Sequence, residues 1–279
     1  KMRKLIFVLM FPISTNAQSP FFISIDASCS NTWLLNKHDR VADSRLDYVV
    51  SLAPEAGLNL GYRFGGSNLQ TGITIGVKYS RASQKYKGHN SDYVKSGVKN
   101  LQAKTSLAYL KVPLMLHLSF GNSGRLRPFL SVGGYYARLL NYRDEMQGRS
   151  IYVVNGQDYP IQYLFEGLNY TLNTITVGYQ SGKLDQTHYS RNVWGIEFAA
   201  GVQSKISDRT SFTAGLKASY SLTDIENKET MHNNKSFNPW EYMSPKYYSD
   251  NAFITKVKTN RPATHLLGLG LELGFRYSL

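Results

Sequence analysis

Cysteine is almost absent: Cys29 is the only one in 279 residues. A disulfide scaffold is therefore excluded. Charge is sparse too. Asp, Glu, Lys and Arg make up 18% of the chain, below the roughly 25% typical of soluble globular domains. No apolar run is long enough for a membrane helix. The longest, Leu5 to Phe11, falls far short of the roughly 20 residues needed. Acidic residues are the minority sign, 19 against 32 Lys and Arg, for a formal net charge of +13. The cations are scattered, with no five-residue basic block and no recognition motif, so nucleic acid is not an expected partner. What is abundant is Tyr, with 20 residues, and Gly, with 23. So many aromatics with so few charges exclude a disordered chain and point to strands.

The first residues read as an address. Met2-Arg3-Lys4 is basic, Leu5 to Phe11 is apolar, and Thr15-Asn16-Ala17 supplies small residues for cleavage. This is a secretory signal pattern. It predicts a signal peptide over 1–17, cleavage between Ala17 and Gln18, and a single barrel domain over 18–279.

From Ser19 onward the hydrophobic period is 2. In Ser106–Phe120 the even positions Leu110, Val112, Leu114, Leu116, Leu118 and Phe120 are apolar, while the odd positions include Tyr109, Lys111 and His117. Near the C-terminus Leu267, Leu269, Leu271, Leu273, Phe275 and Tyr277 alternate with Gly268, Gly270, Glu272, Gly274 and Arg276. Successive strand side chains point to opposite faces. One face is a continuous apolar stripe and the other is small or charged, as expected with lipid outside and a polar lumen inside. A soluble lipocalin-like barrel would put the apolar face inside, among Lys111, Glu197, Lys217, Glu272 and Arg276, each needing a partner.

Eight such segments are predicted: Pro20–Ser28, Val50–Phe64, Thr71–Lys85, Thr105–Phe120, Leu126–Leu140, Asn192–Ile206, Ser211–Ile225 and Ala263–Leu279. Three connections are tight, at Gly65–Asn68, Gly121–Gly124 and Ser207–Thr210, and rich in residues that suit short hairpins. Four are long: Asn31–Tyr48, Tyr86–Lys104, Asn141–Arg191 and Glu226–Pro262. The expected fold is all-β, an eight-stranded antiparallel transmembrane barrel with long extracellular loops and both termini periplasmic. Ten strands follow if the third long loop adds a hairpin around Thr174–Tyr179. Phe21, Phe22, Tyr62, Phe64, Tyr79, Phe120, Tyr135, Tyr136, Trp194, Tyr220, Phe275 and Tyr277 sit near segment ends. They read as interfacial girdles, or as ordinary strand propensity.

Three stretches also carry a family resemblance. Tyr109-Leu110-Lys111-Val112-Pro113-Leu114-Met115-Leu116-His117, Arg127-Pro128-Phe129-Leu130-Ser131-Val132-Gly133-Gly134-Tyr135 and Tyr220-Ser221-Leu222-Thr223-Asp224-Ile225 occur in this order. The first resembles a characteristic strand of the PorT-like outer-membrane β-barrel family of Bacteroidota, the second its following strand, and the third the end of its penultimate strand. The resemblance implies a porin-family cell-envelope barrel in the bacterial outer membrane. One branch of that family supports type IX secretion, and most members have no assigned activity.

Candidate sites follow from parity. Asp26, Glu55, Arg63, Lys78, Lys111, Arg127, Glu197, Lys217, Glu272 and Arg276 are expected to face the lumen. Eight strands leave an interior just wide enough for side chains, so a structural ion-pair plug is favoured over an ion path. In the fourth long loop Phe237, Trp240, Tyr242, Tyr247 and Tyr248 are interleaved with cations such as Lys246. That pattern fits acidic glycans, lipopolysaccharide phosphate or a partner protein, or self-packing of the loops. His188 with Ser190, and His232 with Asn233, are the nearest candidates for a lipid-modifying site, but neither has an orienting third group. The six His lack metal-ligand spacing. Gly268, Gly270 and Gly274 lie in a strand pattern, not a nucleotide loop. No catalytic residue, metal or cofactor is expected. The sequence reads as a non-enzymatic scaffold or envelope-complex component, with a small pore and a lipid-modifying enzyme as alternatives. Its expected partners are outer-membrane lipid, lipopolysaccharide, and envelope or secretion-complex proteins.

Overall fold

The computed structural model describes residues 20–36, 46–66, 69–88, 98–121, 126–154, 157–160, 170–171, 174–179, 189–227 and 263–279. The predicted signal segment, with Ala17 and Gln18, lies outside the described residues. So do His188, His232, Asn233 and the loop residues Phe237, Trp240, Tyr242, Lys246, Tyr247 and Tyr248.

Eight strands form the wall: β1 (Phe21–Leu35), β3 (Leu52–Gly65), β4 (Leu69–Gly88), β5 (Val98–Phe120), β6 (Leu126–Val154), β10 (Asn192–Lys205), β11 (Thr210–Ser221) and β12 (His265–Ser278). Four short strands accompany them: β2 (Leu46–Val49), β7 (Gln157–Pro160), β8 (Tyr170–Thr171) and β9 (Thr174–Tyr179). The order β10-β11-β12-β1-β3-β4-β5-β6 closes through a β6–β10 pairing, and every pairing is antiparallel. Closure leaves no wall strand with an open edge, which is the condition for crossing hydrocarbon.

The alternation drives the closure. On β5, Leu107, Tyr109 and Lys111 are buried while Leu110, Leu114 and Leu116 are exposed on the outer surface. On β12, Leu269, Leu271, Leu273, Phe275 and Tyr277 are exposed and Arg276 is buried. The outer strip from Leu110 to Phe120 rises about 25 Å at about 3.3 Å per residue and a tilt of about 40°. That matches the apolar height of a bacterial outer membrane. Gly65 and Gly121, both at positive φ, open two of the tight turns, where a side chain would be strained.

Several expected boundaries move. β1 runs on to Leu35, β4 to Gly88 and β6 to Val154, β5 begins at Val98, and β11 stops at Ser221. Above the lipid belt both strand faces meet water or protein, so the apolar alternation fades while the ladder continues. The ten-stranded alternative is not adopted. β9 pairs with residues 144–148 of β6, beyond the stretch of β6 that closes on β10. Phe22 and Tyr135 are not girdle residues. Both are buried inside the barrel, because their parity matches Ser24 and Ala137, which also face inward.

One seam is irregular. Val49 pairs with Lys85 and Glu55 with Ser80, so residues 50–54 stand opposite the shorter stretch 81–84. This extra residue makes a bulge. Leu52 and Ala53 remain paired with Asn31 and Ser30 of β1, so the chain steps away from β4 rather than from β1. Side chains seal the gap. Ser51 Oγ donates to Ser83 Oγ at 2.8 Å, and the Ser51 N–H donates to Asn31 Oδ1 at 2.8 Å. The Leu34 N–H donates to Gln84 Oε1.

Candidate functional site in the barrel interior

The interior is stacked in three layers. The middle layer is ionic. Asp26 comes from β1, Glu55 from β3, Lys78 from β4, Lys111 from β5, Glu197 from β10, Lys217 from β11 and Glu272 from β12. Lys78 lies 3.5 Å from Asp26, 3.8 Å from Glu55, 4.0 Å from Glu197 and 3.8 Å from Glu272. Lys217 is 2.7 Å from Glu197, 3.2 Å from Glu272, and also bonds Glu55. Lys111 is 3.1 Å from Glu55, pairs with Glu197, and sits 4.3 Å above the Tyr135 ring. Four carboxylates thus surround three ammonium groups. Each lysine side chain is only 3–5% exposed.

Such a cluster exists because strands on opposite sides of a narrow barrel are within side-chain reach. Each buried charge needs several opposite neighbours to offset its lost hydration. Neighbouring glycines supply the room. A Cβ on Gly57 would lie 2.5 Å from Lys78 Cγ, and one on Gly195 would lie 2.5 Å from Tyr135 Cε1. The void beside the cluster, between Glu55, Lys111, Lys217, Tyr109 and Tyr135, measures about 30 Å³, room for about one water.

Toward the long-loop end the lumen turns apolar. Leu34, Leu107, Tyr109, Leu139, Tyr142, Tyr189, Val193 and Ile225 form one buried cluster. Tyr142 and Tyr189 rings lie 5.7 Å apart. This cap escapes parity reasoning, which assigns the lumen to polar residues. Its one legible sign is the aromatic and aliphatic residues at the inward odd positions of β5, Leu107 and Tyr109.

Toward the short turns the layer is cationic. Phe22, fully buried, contacts two guanidiniums, with Arg276 Cζ 4.2 Å and Arg63 Cζ 5.0 Å from its ring centroid. Arg63 also donates to Ser278 Oγ at 2.7 Å. Arg127 and Arg63 line a mouth cavity of about 90 Å³ with Gln203, Lys205 and Arg209. Between these layers His117 is held by Thr74 Oγ1 at 2.8 Å and by Ser131 Oγ. In the turn itself Lys205 donates to Asp208 at 2.6 Å. That hydrogen bond and the ammonium charge hold the Asp208 carboxyl below its usual range.

The ten lumen residues named from sequence thus divide. Seven meet in the ionic layer, while Arg63, Arg127 and Arg276 lie nearer the short turns. Asn59, which donates to Ser24 Oγ at 3.1 Å and to Asp26, joins the network without having been singled out by its uncharged side chain. Ser190 lies beside the cap, its hydroxyl donating to the Glu226 carbonyl at 3.1 Å. Among the described residues no group of His, Cys, Asp and Glu is arranged to hold a metal ion.

Residues 16–227 match the family model described as an outer membrane protein beta-barrel domain. Among curated proteins none matches significantly. Neisserial surface protein A is similar at 11% identity over 95% of this chain and all of its own, with a TM-score of 0.39. The outer membrane protein OprG of Pseudomonas aeruginosa is similar at 10% identity over 94% of this chain and 97% of its own, with a TM-score of 0.37. A third, Ail of Yersinia pestis, an attachment invasion locus protein, shows 11% identity over 92% and 98%, with a TM-score of 0.28. With the matched region spanning most of the chain, this protein belongs to the outer membrane protein β-barrel domain family.

Proposed function

We propose that the protein is a non-enzymatic scaffold of the bacterial outer membrane whose sealed barrel presents its long loops to envelope partners. The observation that carries this reading is the filled lumen. Lys78, Lys111 and Lys217 are locked among four carboxylates, with the Leu107–Tyr142–Tyr189 cap stacked on them. A permeation path needs water-filled width, and the void beside the cluster holds about one water. The three ordered strand motifs support membership of the PorT-like barrels of Bacteroidota. The tight turns and both termini are assigned to the periplasm, and a mature N-terminus at Gln18 goes with that orientation.

Planar-bilayer recording tests the reading. The expected result is no steady conductance. Porin-scale conductance would overturn the scaffold in favour of a pore. Partner capture from native outer membrane, with and without residues 237–258, tests the loop role. Identical partners after deletion would remove those residues from it.

A further inference from the structure

The outer wall of a barrel is convex, yet this one carries a groove of about 680 Å³. It lies where residues 50–54 step away from β4, on the lipid-facing side. Val50 and Leu52, each 68% exposed, form one flank. Arg81 and Lys85 of β4, Lys104 of β5 and Arg143 of β6 supply the cations, and among the described residues that line the groove none is a carboxylate. Arg81 is steadied by Tyr79, donating to its hydroxyl at 3.1 Å. At this rim Glu145 stands opposite Lys104 in the strand register.

The height of the groove matters as much as its charge. On β4 the outward residues Ile73, Ile75, Val77 and Tyr79 give way to Arg81 and Lys85. On β5, Leu114, Val112, Leu110 and Ala108 give way to Ser106 and Lys104. The groove straddles the line where the apolar belt ends and the headgroup layer begins. Val50 and Leu52 stand opposite residues 81–84, at the height of the cations, while Val77 and Tyr79 lie below them in the apolar belt. Guanidinium forks match phosphate oxygens with charge-assisted hydrogen bonds.

We infer that this groove is a binding site for a phosphorylated glycolipid of the outer leaflet, with its phosphates on Arg81, Lys85, Lys104 and Arg143, the base of its headgroup against Val50 and Leu52, and its acyl chains descending past Tyr79 and Val77. The assignment rests on the proposed orientation, in which the long loops face outward.

The test uses the full chain in phosphatidylcholine nanodiscs doped with bisphosphoryl lipid A, its dephosphorylated form, or phosphatidylglycerol. Native mass spectrometry counts the lipid retained. One bisphosphoryl lipid A per barrel is expected, retained at least tenfold better than the dephosphorylated form. The Arg81→Gln/Lys85→Gln/Lys104→Gln/Arg143→Gln variant is expected to lose that preference, and Arg138→Gln, on the outer wall away from the groove, to keep it. Single Arg81→Gln and Arg143→Gln variants give the same reading in smaller steps should the quadruple variant not fold. Equal retention of the dephosphorylated lipid, or full preference in the quadruple variant, would overturn the site. Equal retention of phosphatidylglycerol would overturn the glycolipid as its occupant. Orientation is checked apart from lipid. Labelling of whole cells bearing Cys29→Ser/Ser207→Cys with an impermeant maleimide would reverse the barrel without touching the retention result.

Discussion

Thr32 completes a ladder that its neighbours leave open. Its hydroxyl accepts the Ser83 N–H at 2.8 Å and donates to the Ser83 carbonyl at 2.5 Å. Both residues are buried. A threonine on β1 thereby stands in for the β3 backbone where the bulge at residues 50–54 withdraws it from β4. Thr32→Val keeps the shape and removes the hydroxyl, orphaning two backbone groups at about 1–3 kcal/mol each. The expected loss is about 2–6 kcal/mol in urea unfolding of the reconstituted barrel, with Thr32→Ser close to the parent. Equal stability of Val and parent would show that the seam does not depend on this hydroxyl.

The ionic layer should respond unevenly to neutralisation. Glu55 faces all three lysines, whereas Glu272 is more exposed and faces two. With four carboxylates against three ammonium groups, losing Glu272 balances the cluster. Glu272→Gln is expected to cost less than about 1 kcal/mol. Lys217→Gln leaves buried carboxylates unpaired and is expected to cost about 3–5 kcal/mol. Unfolding midpoints in detergent check the order, and a larger cost for Glu272→Gln would contradict it.

Gly61 protects the Phe22 stack. A Cβ there would lie 2.6 Å from two ring carbons of Phe22, and the ring is fully buried with Arg63 and Arg276 against it. Gly61→Ala should destabilise by about 1–3 kcal/mol through overpacking. Phe22→Leu in the same background relieves the clash, so the double variant should recover part of the loss. Strict additivity of the two changes would argue that the side chains do not meet.

Spin labels can read the polarity of the wall. In a Cys29→Ser background, labels at Leu114 and Leu271, 57% and 63% exposed, should be broadened by oxygen dissolved in lipid. Labels at Ser119 and Ser131, both buried within the barrel, should be insensitive to it. The opposite pattern would invert inside and outside and remove the membrane assignment.

Much of this was legible in the chain because a strand's faces are set by local geometry. Leu114 points out and Lys111 points in for the same reason that their numbers differ in parity. Eight such segments joined by alternating short and long connections specify a closed antiparallel wall, since hydrocarbon tolerates no open edge. Parity also sorts the charged residues by face, but it says nothing of height. That Lys217 meets Glu55 while Arg276 meets Phe22 depends on the stagger between strands far apart in sequence. The apolar cap around Tyr189, the bulge at residues 50–54 and the Thr32–Ser83 bond arise the same way, from a register settled only when the ring closes and all eight strands must fit one circumference. Face is a property of one residue and its neighbours in the chain; height and contact across the lumen belong to the whole barrel.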